Sequence, residues 1–258
     1  MLQNTKVIHE LYSKISMKNL AVSKYLLDNY KDYYQDGDNP EGDGEWRRIG
    51  AIPKVDNIIQ LCRDIPHNSI LEVGAGEGSV VSRMDETGFA TDLYALDISA
   101  SGIERIKQRN IPSMRECQLY DGYQIPYADN HFDIVVLSHV VEHLEYPRLL
   151  IQEASRVGKS LFVEVPLEHT LKLPKDFVFN RVGHINVYTP QTIRHLLQSC
   201  DLIVLKQVVT AHSKDVHLHD QGKQGAINYE IKRLCLKLFP KLAVNLFTYN
   251  SALLCQKN

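Results

Sequence analysis

The feature that most constrains this chain is a repeating alternation between residues 69 and 166. Short runs that are apolar on both faces, "SILEVG", "DLYALDIS", "FDIVVLSHV" and "KSLFVEVPL", alternate with the helical patterns "SVVSRMDETG", "ASGIERIKQRN" and "PRLLIQEASRVG". A weaker strand pattern, "SMRECQL", lies between the second and third of these helices. A strand that is apolar on both faces must be covered on both, and alternation with helices supplies that cover. The reading is an α/β, doubly wound, mostly parallel sheet. Further on, "TPQTIRHLLQSCDL" predicts a helix with Thr189 as N-cap and Pro190 at its first position. "LIVLKQVVT" and "VNLFTYNSALLCQK" then predict two strands around the helix "GAINYEIKRLCLKLF", stopped by Pro240. Two strands this close to the C-terminus allow an antiparallel edge on the parallel sheet.

The first strand runs into glycines at every second position, "ILEVGAGEGSV", with Gly74, Gly76 and Gly78. A strand, a glycine turn and a helix form a ligand cradle at the carboxyl end of an open sheet. Two phosphate-binding versions are excluded. The dinucleotide loop needs its third glycine or alanine at position 79, which is Ser79, and no Gly-Lys-Ser/Thr follows. Acids surround the turn instead: Glu72 and Glu77 in the loop, Asp97 at the end of the second strand, and Asp121 after the third. An acid at Asp97 suits a pair of ribose hydroxyls, and one at Asp121 suits an adenine amine, although Asp-Gly is also an ordinary turn. The implied ligand is a nucleoside carrying positive rather than negative charge.

With these residues in view, the sequence resembles the class I, seven-stranded S-adenosylmethionine-dependent methyltransferases, specifically from about Ile70 to Pro166 and more loosely to the C-terminus. "LEVGAGEG" matches that family's first motif, "ALDIS" its acidic second strand, and "DGYQIPYADNHFDIVVLSHVVEHL" the stretch around its fourth strand. The resemblance implies a seven-stranded sheet with an antiparallel C-terminal edge strand. It also implies S-adenosylmethionine as cofactor, bound by Glu72, Gly74, Gly76, Gly78, Asp97, Ile98, Asp121, Gly122, Ser138 and His139. Residues 51–258 are expected to form this domain. Residues 1–50 are expected to supply helices (5–31) and an acidic, aromatic lid loop, "DYYQDGDNPEGDGEW".

Chemistry at an acceptor needs a base only where the nucleophile begins protonated. The candidates are His139, at the end of the fourth strand and four residues before His143, and His184 in "RVGHINVYTP". Glu142 and His143 read as structural. Tyr33, Tyr34, Trp46, Glu168, His184 and Tyr188 are candidates for holding the substrate, and Arg47 and Arg48 could meet an anion. "HSKDVHLHD", residues 212–220, has metal-like content if it is a strand, because His217 and His219 would share a face. No metal is expected, since methyl transfer with a base needs none.

A net charge of -2 gives no basic excess for nucleic acid, and the amino-methylating Asn/Asp-Pro-Pro-aromatic motif is replaced by "SHVVEHL". Five scattered cysteines without a C-x-x-C pair point to a reducing, cytoplasmic setting. The N-terminus lacks the apolar core of a signal peptide, and no integral membrane segment is expected. The expected partner is a small-molecule acceptor, most simply a hydroxyl of a sugar, polyketide or other metabolite, and a homodimer is compatible with this. A basic helix bearing Lys232, Arg233, Lys237 and Lys241 keeps a quinone or lipid acceptor open. Two readings from other classes also stand: a protein that binds S-adenosylmethionine without transfer, and a nicotinamide-dependent dehydrogenase. The missing glycine or alanine at position 79 argues against the latter.

Overall fold

A computed structural model of the chain describes residues 44–178 and 183–258, together with Val22, Leu27, Asp28, Tyr30, Tyr33 and Tyr34. The rest of the N-terminal block, including most of the predicted helices in 5–31 and of the acidic loop, lies outside the described residues. The elements in chain order are α1 (Gly44–Cys62), β1 (Ser69–Val73), α2 (Ser79–Glu86), β2 (Asp92–Asp97), α3 (Ala100–Gln108) and β3 (Met114–Leu119). They continue with β4 (Phe132–Ser138), a 3-10 turn (Val141–His143), α4 (Pro147–Val157), β5 (Gly158–Pro166), α5 (Pro190–Gln198) and β6 (Leu202–Thr210). The chain ends with α6 (Lys214–Leu238), α7 (Pro240–Leu246) and β7 (Asn250–Lys257).

The seven strands form one sheet in the order β3-β2-β1-β4-β5-β7-β6. β1 to β5 pair in parallel, and β7 runs antiparallel to both β5 and β6. The antiparallel strand therefore lies one place in from the edge. β7 is buried on both faces almost throughout, whereas β6 is half exposed along its length and can border solvent.

The period-2 rule divides the core cleanly. Ile70, Ile134, Val136, Phe162, Ala252 and Leu254 face a cluster built with α1, α2 and α3. Their neighbours Leu71, Val135, Leu137, Leu161, Leu253 and Cys255 face the opposite cluster, with α4 and α5. β1, β4, β5 and β7 are thus buried on both faces, which explains their continuous apolar runs. The strand order reverses direction between β1 and β4, so their carboxyl ends diverge into a crevice.

Several local expectations are corrected. Trp46, read as part of the acidic lid loop, is helical: α1 begins at Gly44 and carries Pro53 inside it, although proline is most at home in a helix's first turn. α1 also runs through the expected domain boundary at residue 50. Residues 214–220 are the start of α6, not a strand; Ser213 caps the helix by accepting from the Val216 N–H. α6 is broken at Gly222, whose φ of 58° and ψ of -142° are not helical. The last strand starts at Asn250, because 240–246 coil into α7 behind Pro240.

Candidate active site

The crevice holds a cavity of about 420 Å³, within the range of small-molecule sites. Its floor is the glycine turn. Gly74 has φ 76° and a Cβ there would stand 2.5 Å from Val140 Cγ2, so the position takes only glycine without strain. Gly74 and Ala75 both donate to the Leu96 carbonyl, tying the turn to β2. Gly76 donates to the Asp97 carboxylate at 2.6 Å, and Ser99 N–H donates to its other oxygen at 2.7 Å. Asp97 therefore organises the turn as well as lining the cavity. Burial pushes its carboxyl up to about 6, against the pull of those N–H groups.

Glu72 also lines the cavity. One of its oxygens is buried with no hydrogen-bond partner. Burial pushes it up to about 8, with nearby Lys54 pulling the other way. Glu77 differs: its carboxylate is paired with Arg109 and accepts from Ser79, so its charge is already compensated. Ile98, Gly122, Ser138 and His139 line the cavity as well.

Two expected cofactor residues do not line it. Gly78 serves as the left-handed N-cap of α2, packed against Ile106. Asp121 is exposed and accepts from the N–H groups of Tyr123 and Gln124 at 2.9 and 2.6 Å, which is an Asx turn of the kind Asp-Gly favours. On the substrate side Tyr188 is also displaced. It is a core residue whose hydroxyl donates to the Val141 carbonyl at 3.4 Å, with no face on the cavity.

Tyr33, Tyr34, Trp46, Glu168 and His184 do line the cavity. Tyr34 lies over the glycine turn and donates its N–H to Ser101 Oγ. The Arg47 guanidinium stands 4.9 Å from the Tyr34 ring centre and 5.7 Å from that of Tyr33. Trp46 Nε1 donates to Asp220 Oδ1 at 3.0 Å, joining α1 to α6. Arg48 points elsewhere, into an exposed pair with Glu45.

The wall opposite the glycines is dense in buried acids and histidines. His139 sits at φ 58°, in the left-handed region, so no helical turn stacks it on His143. Its Nε2 lies 3.2 Å from Glu164 Oε1 and its Nδ1 3.5 Å from Glu142 Oε1, and burial pulls the imidazole well below its ordinary value. Asn57 of α1 donates to Glu164 at 2.7 Å. His184 Nδ1 is 2.6 Å from Glu168 Oε2, so a carboxylate is among its partners. His143 packs edge-on against His184, with ring centres 4.7 Å apart.

Several lining residues escaped the sequence reading. Lys54, Tyr30, Tyr120, His212 and Asn250 reach the cavity from five separate segments, and no local motif joins them. The segment 212–220 assembles no group of three metal ligands among the described residues. His217 is buried, while His219 and Asp220 are exposed on α6.

Residues 71–161 match the family model described as a methyltransferase domain. Relatives include a demethylmenaquinone methyltransferase of Renibacterium salmoninarum, 28% identical over 44% of this chain and 43% of that protein. A putative methyltransferase of Bacillus subtilis is 31% identical over 43% of this chain and 63% of its own length. A mitochondrial ubiquinone biosynthesis O-methyltransferase of Candida albicans is 29% identical over 42% and 36%. The chain thus spans less than two thirds of these relatives. Among solved structures, coclaurine N-methyltransferase bound to N-methylheliamine and SAH superposes with TM-score 0.61 at 16% identity, covering 100% of this chain and 89% of that one. The [4+2]-cyclase SpnF superposes with TM-score 0.58 at 16% identity, covering 86% and 85%. These structures share the fold. The match to a methyltransferase domain runs from β1 into β5, on a sheet whose order reverses beside a glycine turn, and the chain shares the seven-stranded fold of the solved methyltransferase it superposes on.

Proposed function

We propose that this protein transfers a methyl group from S-adenosylmethionine to a hydroxyl of a small molecule. The observation that carries this is a set of buried polar atoms on the cavity wall without hydrogen-bond partners: Arg47 Nη2, Glu72 Oε2 and Ser138 Oγ. Unpaired buried polar atoms are costly, so a ligand bearing both signs of charge is what satisfies them. S-adenosylmethionine, with an ammonium, a carboxylate and a sulfonium, fits this donor set. Glu72, Asp97, Ser138 and Arg47 would hold it, with Ile98 and Tyr34 as apolar walls. When bound, it supplies an electrophilic methyl.

The rest falls to the chain. The aromatic rings of Tyr33, Tyr34 and Trp46 bound the cavity and exclude water from it. Glu168 fixes His184 with its Nδ1 proton bonded, leaving the Nε2 lone pair for the acceptor side. His139 stands between two wholly buried acids, Glu164 at 3.2 Å and Glu142 at 3.5 Å, and positions the wall; His184 Nε2 stands 4.0 Å from Glu142, beyond hydrogen-bond reach, and meets the acceptor hydroxyl.

Calorimetry tests the reading. S-adenosylmethionine should bind and NAD should not, and the opposite ranking refutes the assignment. Asp97→Ala should weaken binding by about 1–3 kcal/mol, the worth of a buried hydrogen bond to a charged group. Because this fold also carries other chemistry, a product heavier by one methyl is required; binding with no methylated product from any hydroxylated acceptor would favour a non-transferring binder.

A second acceptor class, a quinone or lipid, has its own observation. Ile227, Ile231, Leu234, Leu238, Phe239 and Leu242 are each about half exposed along α6 and α7, flanked by Arg233, Lys237 and Lys241. An apolar stripe edged with cations suits an anionic membrane surface. Under this reading the protein floats with anionic vesicles, and Leu234→Asp with Leu238→Asp abolishes flotation. A wild-type chain that stays in the aqueous fraction removes the membrane-borne acceptor.

A further inference from the structure

Glu142, His143 and His184 each offer one ligand atom, and the three atoms lie within 4.8 Å of one another. We propose that these residues form a site for a first-row divalent cation on the acceptor side of the cavity.

Four features support a built site rather than a chance cluster. The Glu142 side chain is wholly buried, and neither of its oxygens has a hydrogen-bond partner. Two imidazole nitrogens stand near it, His139 Nδ1 at 3.5 Å and His184 Nε2 at 4.0 Å. A buried carboxylate with nothing bonded to it either keeps a proton or takes a cation. Both imidazoles are set as ligands by their other nitrogen. His184 Nδ1 bonds the Glu168 carboxylate at 2.6 Å. His143 Nδ1 lies 3.2 Å from the Tyr30 hydroxyl and 3.3 Å from the Gly183 carbonyl; the carbonyl can only accept and the hydroxyl can accept as well, so a proton on Nδ1 satisfies both. With that proton in place each ring would keep its lone pair on Nε2, the arrangement that carboxylate and carbonyl partners impose on metal-bound histidine. The two ligand segments are also stitched together. Ile185 and Asn186 N–H donate to the Glu142 carbonyl at 3.0 and 2.9 Å, and Asn186 Nδ2 donates to the Leu144 carbonyl at 2.7 Å.

Two imidazoles and one carboxylate select Zn(II), Fe(II) or a similar ion over Mg(II) and Ca(II), which prefer all-oxygen sites. The three atoms need to close up by roughly 1 Å to reach the ~3.4 Å spacing set by ~2.1 Å bonds in a tetrahedron. His143 and His184 line the cavity, so the remaining coordination positions open onto it. An acceptor oxygen would then meet the ion instead of the bare His184 ring. That last step rests on the methyltransferase reading; the cation site does not.

Protein stripped with a chelator and dialysed against Co(II) or Zn(II) provides the test, with metal content measured by mass spectrometry and Co(II) followed by its visible absorption. Stoichiometric binding is expected, weakened at least tenfold by Glu142→Gln and by His184→Ala. Glu168→Gln should weaken it about 10–100-fold, the usual effect of losing an orienting partner. His219→Ala on α6 should leave it unchanged. Metal content no higher than the chelated blank, or unaltered binding in both ligand variants, overturns the site. Where Glu142→Gln does not fold, His184→Ala, on a loop, decides alone. Calorimetry with S-adenosylmethionine on the same samples separates the claims: cofactor binding without metal overturns only the cation site, and metal binding without the cofactor overturns only the methyltransferase reading.

Discussion

Glu72 shows what burial does to a single side chain. It ends β1, lines the cavity and holds its proton to about pH 8 because water cannot solvate its charge. A cation bound nearby favours the ionised form, so binding S-adenosylmethionine should expel that proton near neutral pH. The affinity is expected to rise between pH 6 and 8. Calorimetry in buffers of different ionisation enthalpy should show proton release that Glu72→Gln removes; equal release in the variant would take Glu72 out of the cofactor's field. That Glu72 lines the cavity was readable from its position before the glycines. The role of Glu77 was not, because the charge of Glu77 is cancelled by Arg109, 32 residues away. Asp121 differs for a local reason: its Oδ1 closes its own turn, and the residue does not line the cavity.

At the scale of elements, the strands and α2 to α5 follow their sequence patterns closely, because each is amphipathic or doubly apolar on its own terms. α5 carries a complete capping box, with the Thr189 hydroxyl accepting from Thr192 N–H and the Thr192 hydroxyl accepting from Thr189 N–H. Thr189→Ala should cost about 1 kcal/mol, measurable as a lower denaturant midpoint with unchanged slope, and should leave cofactor affinity intact. A stability unchanged within error would mean the cap is frayed in solution. α1 and α6 were harder to read. Pro53 reads as a helix start by propensity, yet packing of Ala51, Val55, Ile58 and Leu61 against α2 and the sheet carries the helix through it. In residues 212–220 His217 and His219 would share a face only in a strand, but Ser213 caps a helix there and Val216 and His217 are the buried residues of its first turn.

For the molecule as a whole, burial of several titratable groups sets the pH response. Glu72 and Glu164 are pushed up to about 8 and about 7 by burial. In each, the folded state keeps a proton that the unfolded chain has lost, so stability falls as pH rises from the ordinary carboxylate range through those values. His212 is pulled down to about 3; its contribution runs the other way, and it is complete once pH passes the ordinary histidine value near 6.5. Above pH 6.5 only the loss remains. The free protein should therefore lose on the order of 2 kcal/mol between pH 6.5 and 8. That corresponds to a fall of ~5 °C in Tm, which scanning calorimetry can follow. Saturating S-adenosylmethionine should flatten the slope, because a bound cation restores the ionised carboxylates. A Tm that rises over this interval would show that the acids are not the controlling groups.

The sequence by itself determined the class of fold, the place of the glycine turn, and that the two acids Glu72 and Asp97 lie beside it. Those features are local: a period of two, a period of 3.6, and glycines where the backbone must turn left-handed. Only the tertiary structure decided that β7 lies inside β6, and that Lys54, Tyr30, His212 and Asn250 converge on one cavity. It also brought His184 against Glu142 and His143 from some forty residues away. The physical reason is that burial and pairing belong to the whole assembly. A carboxylate's charge, a histidine's tautomer and a proline's tolerance depend on which distant groups are packed against them, and no window of neighbouring residues contains those groups.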